Sequence, residues 1–386
     1  MFTDIPLAWL QLTREPSRLL AAVAGVGFAV LLVFMQFGFS GALYASAVRF
    51  HTALTGELFL INPKTPYLVL TRQFSRRRLY QTLGFDGVES VSPVYAAVAT
   101  WQNPYDGSAR NIFVLGFDPT DTVLNVPEVN ANRHLIRLPD VVLFDEASRP
   151  EYGPVAADMK SSKAATLHVE VSNRRITIAG LFRMGTSFGV DGTLITSDLN
   201  FLRLFPTREK GLIDIGVIKL RPGVNPEAMR AALAAHLPND VLVLTKRAFT
   251  EREKAYWAQT TPIGFVFAFG ATIGLIVGLV IVYQILFADI SDHLAEYATL
   301  KAMGYTNWYL FAVVFQEATI LAVLGYIPGL LISLGLYHLT ESATLLPMRM
   351  GVNLALMVLA LTVGMCGVSG AIALRKVRSA DPADVF

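Results

Sequence analysis

The chain has 386 residues, with 32 Lys and Arg against 30 Asp and Glu and a mean hydropathy of +0.47. Only 16% of the residues are charged, where soluble domains carry about 25%; a wholly soluble globular protein is therefore excluded, and lipid is the solvent for part of the chain. The single cysteine, Cys366, excludes an intrachain disulfide among these residues.

Residues 1–18 predict an amphipathic N-terminal helix. Four apolar runs follow. Leu19–Val48, Ala255–Ala288 and Met350–Leu374 carry no charge, and Ala302–Thr340 carries only Glu317. Each exceeds the roughly 20 residues that a helix needs to cross a hydrocarbon core. The spans are placed at 19–44, 263–288, 308–336 and 350–374. Ala45-Ser46-Ala47 has the small-residue look of a signal-peptidase site, but the run before it is about twice an ordinary signal core, so a retained span is preferred.

Short flanks set the orientation. Arg14 and Arg18 precede the first span, and Arg375, Lys376 and Arg378 follow the last, whereas the connection at 337–349 offers Arg349 against Glu341. Both termini, the segment 289–307 and the tail 375–386 are thus expected in the cytoplasm of an inner-membrane protein. The 45–262 region lies outside, in the periplasm.

That region holds 25 of the 32 basic and 21 of the 30 acidic residues, about 21% of its length, which is the density of a folded aqueous domain. Strand-like and helical runs in its first part (about 55–120) recur in its last (about 211–246), giving two βαβ halves able to share one sheet. Asn225 followed by Pro226 is a capped helix start. Between the halves, about 121–206 is rich in Pro, Gly and short β-like runs and reads as an inserted, mainly β subdomain. Residues 246–261 predict a stalk helix running directly into the second span. The fold expected is an integral membrane α-helical protein with four transmembrane helices and a large α/β periplasmic domain carrying an inserted mainly β subdomain.

Gly270, Gly274 and Gly278 recur every four residues in the second span and leave a smooth groove, open either to a helix of the same chain or to a second copy. Glu317 is isolated at membrane depth. A proton relay wants several such groups, so a structural or gating role is favoured.

Catalytic constellations are absent from the sequence. There is no Gly-Lys pair, hence no P-loop, and the six histidines show neither H-E-x-x-H nor an i, i+4 pair. No catalytic, cofactor or metal residues are assigned, and the chain is expected to be a non-catalytic subunit. Arg76-Arg77-Arg78 admits an anionic headgroup or a nucleic acid, but a charge run on a predicted outer helix reads first as a solvated face, and no nucleic-acid partner is expected.

The segment between the second and third spans is amphipathic and too short to cross the bilayer. Leu294, Tyr297, Ala298, Leu300 and Met303 lie among Asp292, His293, Glu296 and Lys301. A membrane-surface helix is Lys/Arg-rich, which this one is not, so docking into a soluble partner's groove is preferred.

The stretch "EYATLKAMGYTNWYLFAVVFQEATILAVLGYIPGLLIS" resembles the cytoplasmic loop and third span of the FtsX-like, MacB-type ABC transporter permeases, and "ALRKVRSADPADVF" is similar to that family's closing element. One span, a large outer domain and then three spans is also the family's order. The N-terminal "PLAWLQLTREPSRLLAAVAGVGFAVLLVFMQFGF", with "ESVSPVYAA" and "IFVLGFDP", looks like the DevC branch. The resemblance implies that Asp292, Glu296, Tyr297, Leu300, Lys301, Met303 and Gly304 form a coupling helix seated on a separate DevA-like ATPase, which holds the ATP and Mg. It further implies a homodimer, a DevB-like membrane fusion protein, a TolC-like outer-membrane channel and a substrate such as a glycolipid. No fused nucleotide-binding domain is seen in these residues, in contrast to the MacB pattern. Alternatives are an FtsX-type transducer activating a cell-wall hydrolase, a lipoprotein-releasing permease, and a receptor or enzyme without an ATPase.

Overall fold

A computed structural model describes residues 7–161 and 166–379. In chain order it begins with helices α1 (Leu7–Arg14), α2 (Pro16–Ala47) and α3 (Arg49–Ala53), strands β1 (Leu58–Ile61) and β2 (Phe74–Ser75), helix α4 (Arg76–Gln81), and strands β3 (Val88–Gln102) and β4 (Ala109–Phe117). There follow α5 (Pro127–Asn132), β5 (Val141–Asp145), α6 (Val155–Ser161), β6 (Leu167–Val171), β7 (Arg174–Phe182), β8 (Thr193–Ser197), α7 (Asp198–Leu204), β9 (Leu212–Ile213) and β10 (Ile215–Leu220). Then come α8 (Pro226–His236), β11 (Leu242–Thr245), α9 (Lys246–Ala255), α10 (Pro262–Asp292), α11 (Leu294–Ala302), α12 (Asn307–Thr344) and α13 (Val352–Ser379). The chain divides into a helical unit and an α/β unit that takes Leu43–Thr261 and Leu345–Pro347.

In the α/β unit, nine strands among the described residues form one sheet in the order β11-β1-β10-β3-β4-β8-β5-β7-β6. Its first four strands pair antiparallel, with α4 joining β1 to β3 and α8 joining β10 to β11. Period-2 alternation sends Leu58 and Leu60 of β1 into one core, with Leu79 of α4 and Leu233 of α8. Phe59 and Ile61 enter a second core on the opposite face, with Phe249 of α9. Asn225 caps α8 by accepting from the amides of Glu227 and Ala228, with Pro226 as its first residue.

The middle stretch supplies β5 to β8, and these strands join the same sheet. β3 is long enough to serve twice. Its first half pairs with β10, its second half with β4, and Trp101 and Gln102 at its end pair with Val171 and Glu170 of β6. That last pairing closes β3, β4, β8, β5, β7 and β6 into a ring, filled by Trp101, Phe144 and Tyr152, whose rings are 5.5 and 6.0 Å from Trp101. Closing the ring gives β6 a partner on each side.

Four helices among the described residues are long and apolar enough to cross a membrane: Pro16–Ala47, Pro262–Asp292, Trp308–Thr344 and Val352–Leu374. The first three exceed the spans expected from composition, and the fourth begins two residues later than expected. α12 runs on to Thr344, because 337–344 contains no breaker and the turn comes only at Leu345, with φ +59°. The connection to α13 is correspondingly shorter than the loop expected at 337–349. α10 includes Asp289–Asp292 as its last turn.

Glycines carry the close crossings. A Cβ on Gly27 of α2 would lie 3.2 Å from the Gly325 carbonyl oxygen of α12, and one on Gly329 would lie 2.8 Å from the Gly27 oxygen. Where lipid offers no hydrogen bonds, polar groups pair across helices. Tyr337 donates to the Phe34 carbonyl at 2.5 Å, Tyr326 to that of Ala355 at 2.9 Å, and Ser369 to that of Leu279 at 2.9 Å.

The expected stalk helix over 246–261 is corrected. α9 ends at Ala255, a π-helical turn occupies Tyr256–Thr260, and Thr261 is extended at φ −106°, ψ 153°. Pro262 is the cause, since its ring disfavours helical geometry in the residue before it. The chain is an integral membrane α-helical protein with four spans and a large α/β domain whose middle stretch is mainly β.

Candidate functional site

The α10–α12 connection is built from local rules. His293 breaks the helix at φ −99°, ψ 16°, and its Nδ1 lies 2.9 Å from the Asp289 carbonyl oxygen. α11 then runs for nine residues and ends in a Schellman turn. The Gly304 amide donates to the Lys301 carbonyl at 3.1 Å, the Tyr305 amide to that of Leu300 at 3.1 Å, and Gly304 has φ +92°. Gly304 thus belongs to the site as its backbone stop, because a side chain would be strained there.

The predicted coupling residues separate into three groups. Tyr297 is corrected: it is 1% exposed and packs inward with Ala298, so it is no contact for a soluble partner. Asp292 and Glu296 are engaged by the N-terminal helices of the same unit. Arg18 pairs with Asp292 and with Glu15, the latter at 2.8 Å, and Arg14 lies 3.7 Å from Glu296. Leu300 and Lys301 are half-buried, and Met303 is 63% exposed.

Beyond them the structure adds Tyr305, 43% exposed, and Trp308, 76% exposed. Tyr305 packs tilted against Tyr309 at 4.7 Å, and Trp308 stacks on Phe311 at 5.4 Å. Sequence reasoning passed over both as part of the turn and the next span. Two aromatics beside a Gly turn at a helix start were the available signal.

Of the two alternatives open for the glycine groove, the structure takes the helix of the same chain. Cβ atoms on Gly270, Gly274 and Gly278 would meet Gln36 at 2.4 Å, Leu32 at 3.4 Å, and Met365 and Ala29 at 2.4 and 2.6 Å, so α2 and α13 of the same chain fill it. Among the described residues that face is occupied by the chain's own helices. Glu317 is 0% exposed on α12, and neither carboxyl oxygen has a hydrogen-bond partner among the described residues. Among those residues no three of His, Cys, Asp and Glu converge as metal ligands.

The α/β unit holds its own buried charges. Asp145 accepts from the amides of Ala147, Met184 and Gly185 at 3.0, 3.1 and 2.7 Å, and burial still raises its pKa. Glu253 on α9 accepts from the Leu68 amide at 3.0 Å and from Trp257 Nε1 at 3.1 Å. His51 Nε2 lies 3.5 Å away. Burial pushes Glu253 up to about 7, against the pull of those two donors and of Arg252, and pushes His51 down to about 3.

Residues 268–382 match the family described as FtsX-like permease C-terminal. The matched stretch contains α11, the Gly304 turn and the exposed Met303, Tyr305 and Trp308, so the site lies within the part of the chain similar to that family. No curated protein matches the chain. Among solved structures, the periplasmic region of MacB from Actinobacillus actinomycetemcomitans aligns at 12% identity over 54% of this chain and 96% of that one, with TM-score 0.34. The extracellular domain of the noncanonic ABC-type transporter YknZ from Gram-positive bacteria aligns at 12% identity over 49% and 99%, with TM-score 0.32. A domain of a permease protein from Porphyromonas gingivalis aligns at 15% identity over 49% and 88%, with TM-score 0.31.

Proposed function

We propose that the chain is the permease subunit of an ATP-driven tripartite exporter. In this reading both termini and the α10–α12 connection are cytoplasmic and the α/β domain is periplasmic. A separate DevA-like ATPase binds the connection, nucleotide binding and hydrolysis bias it between two states, and the spans pass that bias to the α/β domain. The domain hands substrate, a glycolipid by resemblance to the DevC branch, to a DevB-like fusion protein and a TolC-like channel. The permease acts as a homodimer whose contact lies away from the filled glycine groove.

One observation carries the reading: within the stretch matched to FtsX-like permeases, a Schellman-capped helix too short to span ends in exposed Met303 and Tyr305, ahead of the span that opens at Trp308. Exposed Met and aromatic side chains that sit together are the composition of protein-docking surfaces.

The test is affinity purification from native membranes in mild detergent with ATP and vanadate. Recovery of an ATPase with a membrane fusion protein is expected. Met303→Asp and Leu300→Asp should each lower ATPase recovery at least about tenfold, because a charge is placed in a desolvated contact. Recovery of a cell-wall hydrolase in place of the fusion protein would make the chain a transducer, and absence of any ATPase would remove the mechanism.

A further inference from the structure

The run Arg76-Arg77-Arg78 is not a uniform solvated face. Arg78 turns to Asp240, with Nε 3.1 and 3.0 Å from its two carboxylate oxygens. Arg76 and Arg77 instead line an open cleft of about 520 Å³ with Ser75, Tyr80, Gln81 and Gly211. Each lining side chain carries a hydrogen-bond donor, and none is a carboxylate. Arg77 forms no ion pair among the described residues. Arg76 lies over the Tyr80 ring at 5.6 Å and has Asp198 and Tyr95 within electrostatic reach. Lys210 and Glu209, both exposed in the adjoining turn, offset one another.

The cleft is held in place from beneath. β2 pairs antiparallel with β9, the Arg76 amide donates to the Gly211 carbonyl at 2.9 Å, and Phe74 and Ile213 are buried in the core below. α4 itself, Arg76–Gln81, contains no acid to neutralise its arginines. Tyr80, the aromatic side chain of the lining, is 45% exposed.

We propose that this cleft binds the phosphate group of an amphipathic molecule. The Arg76 and Arg77 forks match a tetrahedral oxyanion, Ser75 and Gln81 supply further donors, and the apolar body rests on the Tyr80 ring. The size of the cleft supports a body, since a free phosphate would fill only a small part of it. The inference rests on the transport reading and narrows its substrate to an anionic amphiphile.

The test uses the full chain in neutral detergent and calorimetric titration with three probes: dihexanoyl phosphatidic acid, inorganic phosphate and uncharged dihexanoylglycerol. The phosphatidic acid should bind and weaken with added NaCl. Arg76→Gln and Arg77→Gln should each lose about tenfold in affinity, the loss of one charge-assisted pair, whereas Arg78→Gln, whose guanidinium is committed to Asp240, should stay within about twofold. Each variant's thermal midpoint reports folding, and exposed Arg77 gives a change that leaves the core intact. Equal affinity for inorganic phosphate would overturn the amphiphile. Absence of binding by both phosphates, or unchanged affinity in Arg77→Gln, would overturn the site. ATPase recovery from membranes is scored separately, so loss of the transport reading is distinguishable from loss of the cleft.

Discussion

Glu253→Gln isolates the buried carboxyl of α9. Burial raises the folded pKa of Glu253 from 4.5 to about 7, a gap equivalent to about 3 kcal/mol. The sign follows from proton binding. Below pH 4.5 both folded and unfolded chains carry the proton, and the full contribution is present. Between 4.5 and about 7 the folded chain holds a proton that the unfolded chain has lost, so stability falls as pH rises, and above 7 the contribution is gone. His51 does not confuse the comparison, because its folded pKa of about 3 keeps it neutral across this window in both proteins.

The Gln amide faces either the Leu68 amide or the Trp257 indole with a donor, which costs about 1–3 kcal/mol independently of pH. The readout is therefore the difference between the two proteins as pH changes. Thermal midpoints from pH 4.5 to 8 should show Glu253→Gln gaining on the parent by about 3 kcal/mol, or about 6–12 °C for a domain of this size, with the rise ending near pH 7. A midpoint difference that stays constant to within about 2 °C across that range would refute the argument that Glu253 is desolvated and unpaired with a cation.

Gly278→Leu should lower the yield and thermal midpoint by at least about 1–3 kcal/mol, because even a Cβ meets Met365 and Ala29, while crosslinking between copies of the surviving protein stays unchanged. Gly364→Leu on α13, where nothing lies within 4 Å of the added Cβ, should be tolerated in the same assay. Asp145→Ala strands the amides of Ala147, Met184 and Gly185 and should cost at least about 3 kcal/mol in denaturant unfolding. Asp145→Asn, which keeps one acceptor oxygen, should cost less, and equal loss in both would show that charge matters more than the amide contacts.

Much of this molecule was legible from local rules. The four spans follow from runs that only lipid tolerates, and the capped start of α8 follows from Asn225 and Pro226, whose effect reaches no further than the first helical turn. The break at Thr261 was equally local, since Pro262 constrains its predecessor, but the helical composition on both sides concealed it. The Gly304 turn falls in the same class, because its φ of +92° is a property of one residue.

What a side chain faces is not local. Gly270, Gly274 and Gly278 read the same whether a partner chain or α2 lies across them, and the α2 contacts come from residues more than 230 positions away in sequence. Tyr297 lies on α11 and Met303 caps its end, yet one is buried and the other open, because that depends on which neighbours surround the short helix. Likewise the three consecutive arginines are alike in sequence, and only Asp240, brought next to Arg78 by the sheet, separates it from the two that line the cleft. Composition and hydrophobic period determined by themselves that the chain crosses a membrane and carries a folded α/β domain, since burial in lipid or in a core is an energy summed residue by residue. Tertiary structure alone decided which charges are spent within the chain and which face outward, since pairing depends on distances that no sequence interval specifies.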